Sequence, residues 1–129
     1  MKVVALVFDK VTVLDIVGPV ELLSWLPDAE IVWVGRETGA TRAAPTGLEI
    51  NIERTLDDVS SADILVVPGG PGVRLLLQDE GVLTWVRKIH ETTQWTTSVC
   101  TGSLLLGAAG LLKGLDATTH WNAATTLET

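Results

Sequence analysis

The chain's single cysteine, Cys100, stands where a β-prone stretch gives way to a small, apolar one. Thr96 to Val99 run into it, and Gly102-Ser103-Leu104-Leu105-Leu106-Gly107-Ala108-Ala109 follows at once. A strand that becomes a helix with no loop between puts the intervening side chain on a sharp, strained turn. Ser98 and Gly102, two residues to either side, are small enough to let the backbone close there, which is the logic of a nucleophile elbow. The helix N-terminus behind such a cysteine would favour the thiolate through its dipole and free N–H groups. The competing reading is a buried structural cysteine, since free cysteine is among the most buried residue types. The turn context weighs toward chemistry.

Two further stretches carry residues that could serve a thiolate. Asp15 follows the first apolar run, and a carboxyl group near a thiolate would have its pKa raised and could act as a general acid. The loop Pro68-Gly69-Gly70-Pro71-Gly72 cannot be helical and exposes backbone N–H groups. An amide from Gly69, Gly70 or Gly72, together with that of Thr101, could stabilise negative charge on a substrate as an oxyanion hole does. Each has a plainer alternative. Asp15 could be a helix N-cap, and the glycine loop a tight connection needing positive φ.

The elements that must position these residues follow from the hydrophobic pattern. Val3 to Phe8 and Asp63 to Val67 read as strands buried on both faces, Ala29 to Val34 as another, and residues 41–44 and 48–52 as a small hairpin. Pro19 is tolerated in a first helical turn, so a helix is expected from about Val17 to Trp25, leaving Asp15 just outside it. Residues 56–59 suit a turn or helical stub. Val82, Trp85, Val86 and Ile89 recur at helical spacing and predict an amphipathic helix over 80–91, with His90 on its solvated side. The elbow strand and a buried helix over 102–109 come next, and Ala117-Thr118-Thr119 reads as one more short strand. Strands alternating with helices imply an α/β fold with a mainly parallel sheet, whose carboxyl edge is where ligands bind.

Composition excludes several functions. A net charge of −7 argues against nucleic acid as a direct partner, because the nine basic residues are scattered. No apolar stretch reaches the ~20 residues of a membrane span, and the N-terminal run lacks a cleavage site, so a cytoplasmic location is expected. One cysteine precludes an intramolecular disulfide and fits a reducing compartment. His90 and His120 stand alone without metal-ligand spacing, so no metal is expected and His120 reads as structural. At 47% hydrophobic residues, 19% charged residues and a mean hydropathy of +0.36, the chain is apolar for its size. A subunit interface, in a homodimer or other self-association, would cover such a surplus.

Leu14-Asp15 with Gly18-Pro19, Pro68-Gly69-Gly70, Ser98 to Ser103, Gly107 to Leu112 and Ala117-Thr118-Thr119-His120-Trp121 together resemble the DJ-1/PfpI superfamily. Within it, the chain is most similar to the isonitrile (isocyanide) hydratases. The resemblance implies one flavodoxin-like, three-layer α/β sandwich over residues 1–129, dimeric as a rule and free of cofactors. Family members continue beyond Trp121, so a domain incomplete at its C-terminus is expected. The substrate implied is a small organic isocyanide, attacked by Cys100 while Asp15 manages protons and water releases a formamide. Thr101 stands where protease-like members carry histidine, which favours the hydratase branch. Two other branches remain alternatives: the ligand-binding domain of AraC-type regulators, and a DJ-1-like redox protein whose cysteine is oxidised.

Overall fold

Two apolar runs rich in β-branched residues become adjacent central strands, β1 (Lys2–Leu6) and β6 (Ile64–Val67). The computed structural model, which describes residues 1–128, flanks them with β2 (Glu30–Gly35), β5 (Arg54–Thr55) and β7 (Trp95–Ser98). The sheet order is β5-β2-β1-β6-β7, and every pairing is parallel. Val3 to Leu6 and all of β6 are buried, as a parallel sheet covered on both faces requires. The expected hairpin forms from β3 (Gly39–Arg42) and β4 (Glu49–Ile52), which pair antiparallel outside the main sheet.

Alternate residues of the central strands serve the two faces. Val3, Ile64 and Val66 cluster with Leu23, Leu26 and Ile31, whereas Val4, Leu65 and Val67 join the larger core with Val86, Ile89 and Leu105. Helix α1 (Val13–Leu23) supplies Ile16 and Val20 to that core. A short α2 (Val73–Leu76) follows the glycine loop, and α3 (Glu80–His90) buries Val82, Trp85, Val86 and Ile89 as its spacing predicts. Asp79 caps α3 by accepting from the Val82 amide at 3.2 Å, and it also pairs with Arg36. Helix α4 (Gly102–Ala108) follows β7, and a 3-10 turn (Trp121–Ala123) leads into α5 (Ala124–Glu128).

Two expectations are corrected. Helix α1 begins at Val13, with Thr12 as its extended N-cap residue, and it runs straight through Gly18-Pro19. Pro19 is therefore interior, and Asp15 lies inside the first turn, where it is not the N-cap. Residues 117–119 form no strand; β-propensity measures the fit to a neighbouring strand, and none lies beside them among the described residues.

The topology decides where chemistry can occur. From β1 the chain moves to β2 on one side and later reaches β6 on the other, so a switch point lies at the carboxyl edge beside β1. Asp15, the 68–72 loop and Cys100 follow β1, β6 and β7 at that edge.

Helix α4 contains two glycines with opposite roles. A Cβ at Gly102 would collide with the Val67 carbonyl oxygen and lie 2.8 Å from that of Pro68, whereas at Gly107 it would meet only Leu127 and Leu112 at 3.7 and 3.8 Å. Gly102→Ala is expected to destabilise the fold by about 2–3 kcal/mol in urea denaturation, since backbone cannot yield as a side chain can. Gly107→Ala is expected to be neutral or to stabilise by up to about 1 kcal/mol.

Candidate active site

Cys100 sits on the turn between β7 and α4 with φ 55°, in the left-handed region. For a side chain other than glycine that conformation costs about 1–2 kcal/mol. Contacts on both sides enforce it. The Val99 amide donates to the Val67 carbonyl at 3.0 Å, and the Gly102 amide turns back to the Val99 carbonyl at 3.0 Å. The Val67 carbonyl also abuts Gly102, so one oxygen at the end of β6 pins the chain before and after Cys100.

The Cys100 carbonyl takes no part in the α4 ladder. Among the described residues no backbone amide donates to it, and Leu104 donates to Thr101 instead. Its partners are two hydroxyls, Ser103 Oγ at 3.3 Å and Thr119 Oγ1 at 3.0 Å. Ser103 is the one buried polar residue of the described chain, at 2% exposure. Neither residue was singled out from the sequence. A serine three residues after an elbow is a position from which it can cap locally, and that signal was available; the Thr119 bond spans 19 residues and had none.

Asp15 reaches the same place from the first turn of α1. The Thr12 amide donates to the Gly69 carbonyl at 2.9 Å and so ties the start of the helix to the glycine loop. The Asp15 Oδ2 atom is buried, and no hydrogen-bond partner meets it among the described residues. A Cβ built at Gly69 would lie 2.6 Å from the Thr101 nitrogen, 2.7 Å from Thr101 Oγ1 and 3.0 Å from Asp15 Oδ2. Absence of a side chain at 69 is what lets Thr101 and the Asp15 carboxylate converge. Thr101 Oγ1 accepts from the Gly70 amide at 3.0 Å, which leaves the hydroxyl proton free to point elsewhere.

The other loop glycines serve the connection. Gly70 has φ 135° and packs against the Lys10 carbonyl and the Thr12 amide, and the Gly72 amide donates to the Lys10 carbonyl at 3.1 Å. With the amides of Gly70 and Gly72 occupied inside the protein, the expected anion cradle narrows to Gly69 and Thr101.

The thiol departs from expectation. Its pKa is raised: burial penalises the anion most, and the Asp15 carboxylate adds to the rise through its charge and as an acceptor for the proton. The Thr101 amide and hydroxyl favour the anion but do not prevail. Cys100 is therefore held as a thiol beside an acceptor rather than as a free thiolate.

A cavity of about 330 Å³ borders Cys100 on the side of the hydroxyls that hold its carbonyl, lined by Cys100, Ser98, Ser103, Leu106, Asp116 and Thr119 among others. His120 borders it, with its Nδ1 accepting from the Asn122 amide at 3.1 Å and its ring 5.4 Å from that of Trp121, a structural use. His90 is exposed and bonds to Thr96 Oγ1 at 2.8 Å. Among the described residues no group of three or more acidic, histidine or cysteine side chains could hold a metal, and no helix is long and apolar enough to cross a membrane.

Known proteins share this fold. The DJ-1/PfpI family model matches residues 1–129. Isonitrile hydratase of Pseudomonas putida is 43% identical over 116 residues, covering 90% of this chain and 50% of that protein. The HTH-type transcriptional regulator GbdR of Pseudomonas aeruginosa is 32% identical over 85 residues, 66% of this chain and 23% of the regulator. Among solved structures, a ThiJ/PfpI family protein from Pseudomonas syringae superposes with a TM-score of 0.93 at 34% identity, over 98% of this chain and 53% of that one. The chain thus spans about half the length of the hydratase and of the Pseudomonas syringae protein.

Because burial and Asp15 hold the thiol up, alkylation of Cys100 by iodoacetamide is expected to be slow at neutral pH and to accelerate only at a pH above that at which an ordinary cysteine reacts. Asp15→Asn removes a negative charge that raises the thiol, so its alkylation curve should move to lower pH. A curve left in place by that substitution would show that Asp15 does not act on the sulfur.

Proposed function

The chain belongs to the DJ-1/PfpI family, and from that premise we propose that it hydrates an organic isocyanide to the N-substituted formamide. Cys100 is the nucleophile, Asp15 the proton carrier, and Thr101 the group that steadies charge on the sulfur. The observation that carries this reading is a strained thiol, held protonated by burial and by the charge of the nearby Asp15 carboxylate, whose buried Oδ2 has no partner among the described residues. The 43% identity to isonitrile hydratase supports it.

An isocyanide carbon must gain both a bond to sulfur and a bond to hydrogen, so a thiol beside a proton acceptor carries what the first step needs. Asp15 takes the thiol proton and delivers it to the isocyanide carbon as the S–C bond forms, giving a thioimidate, R–N=CH–S–Cys100. Water then adds to that carbon. Asp15 accepts one water proton and passes it to the nitrogen, leaving R–NH–CH(OH)–S–Cys100. The C–S bond breaks, the hydroxyl proton returns to sulfur, and R–NH–CHO departs. The net change is isocyanide plus water to formamide, and the thiol is restored. The Thr101 amide and hydroxyl favour negative charge on the sulfur, so they assist whenever the S–C bond forms or breaks. The cavity beside Cys100, with hydroxyls and Leu106 in its wall, is where the substrate's side group would lie.

A second reading is a binding module without turnover, favoured by the similarity to the regulator GbdR. A redox role is supported less, because oxidation follows thiolate character and this thiol is pushed up. We also infer a cytoplasmic protein that self-associates. The outer side of α1 and the turn after it would be the contact, since Leu14 and Leu22 of the helix and Trp25 of the turn are each at least 75% exposed.

The chain is expected to release formamide from a simple alkyl isocyanide, followed by chromatography. Cys100→Ala should abolish turnover, and Asp15→Asn should lower it by about 100-fold or more. Saturable isocyanide binding with no formamide from the native chain would select the binding module. Turnover surviving in Cys100→Ala would remove the cysteine from the mechanism.

A further inference from the structure

We propose that Thr119 is a positioning residue, whose hydroxyl, by holding the Cys100 carbonyl, aims the Thr101 amide at the reactive sulfur. The link is the peptide unit between Cys100 and Thr101. Its carbonyl and its N–H lie in one plane and point in opposite directions, so fixing the oxygen fixes the hydrogen. Here the oxygen cannot be fixed by the usual means. The left-handed turn at Cys100 takes its carbonyl out of reach of the α4 amides, and among the described residues only Thr119 Oγ1, at 3.0 Å, and Ser103 Oγ, at 3.3 Å, donate to it. Two hydroxyls on one face of the peptide turn its N–H toward the other. There the Thr101 amide favours negative charge on Cys100 against the opposing effect of burial. Donors on a carbonyl also polarise the N–H of the same peptide and strengthen it as a donor.

Ser103 belongs to α4 and is carried by the elbow itself. Thr119 comes from outside it, from an irregular segment whose continuation anchors in the core through buried Ala123 and through Leu127, packed against it. That anchoring gives the bond its leverage. A hydroxyl attached to the core resists rotation of the peptide in a way that a residue moving with the turn does not. It also ties the segment bearing Asp116 and His120 to the wall of the cavity that borders Cys100.

The proposal rests on Cys100 as the reactive group of the proposed function, but its test does not use the isocyanide. Iodoacetamide alkylation of the full chain is followed across pH for the native protein, Thr119→Val, Thr119→Ser and the control Thr125→Val, which changes an exposed threonine of α5. The titratable side chains facing this region are Asp15 from α1 and Asp116 and His120 from the closing segment, and all three stay in every variant. Thr119→Val should shift the alkylation curve to higher pH and slow the reaction at a fixed pH below its midpoint by about five- to tenfold. Thr119→Ser should restore the native curve, and Thr125→Val should not move it. Should Thr119→Val fail to fold by circular dichroism, Thr119→Ala is measured in its place against the same Thr119→Ser rescue. A folded Thr119→Val or Thr119→Ala chain with the native curve would overturn the proposal, as would a Thr119→Ser chain that keeps the shifted one. A shifted curve in a chain that makes no formamide would leave the positioning role standing and remove the hydratase.

Discussion

One carbonyl oxygen, that of Val67, fixes the reactive turn. It accepts the Val99 amide at 3.0 Å and at the same time leaves no room for a side chain on Gly102. The strand before the cysteine and the helix after it are therefore locked to the same point at the end of β6. Between these two attachments lie only Cys100 and Thr101, and the chain reverses direction at φ 55° on Cys100. Strain of this kind persists only where its surroundings over-determine it. Here that comes from the sheet, since Val67 belongs to a strand with every residue buried. The stability of the central sheet is thus what holds the turn at Cys100.

The electrostatics of the site run against the simplest expectation for a cysteine at a helix N-terminus. The dipole argument favours a thiolate, but α4 has only seven residues, and its field competes with burial and with the Asp15 carboxylate. Burial and Asp15 win. The consequence is a thiol that keeps its proton and stands next to the group able to move it. For a reaction that must deliver a proton and sulfur to the same carbon, that is the more useful resting state. It also separates this site from hydrolases that generate a thiolate with a neighbouring histidine, because the position after the nucleophile is Thr101. Thr101 supplies donors and no base.

Much of the scaffold was legible because its signals are periodic or continuous. The runs at Val3 to Phe8 and Ile64 to Val67 could only be covered on both faces, and the 82, 85, 86, 89 spacing fixed the buried side of α3. The elbow was legible from small residues at fixed offsets. A single local cue is a weaker signal. Pro19 suits a helix start, yet a proline can be carried inside a helix, and Thr12, bonded to Gly69 across the sheet edge, sets the start of α1. That long-range bond moved Asp15 from the loop into the helix without moving it from the site. Residues 54–55 and 73–76 were too short to show any period.

The threonines at 117–119 show most clearly why sequence alone falls short. Their composition favours a strand, but a threonine hydroxyl can also satisfy a carbonyl that the backbone has abandoned. The Cys100 carbonyl is such a group, and it exists only because the elbow is strained. A polar group stranded by a functional turn must find a donor, and the elbow can supply just one of its own, Ser103. The second arrives from 19 residues further on, where the chain gives up regular structure to bring it. The strained turn at Cys100 and the distant segment are thus joined through one peptide, the segment's Thr119 hydroxyl meeting a carbonyl that no backbone amide among the described residues satisfies.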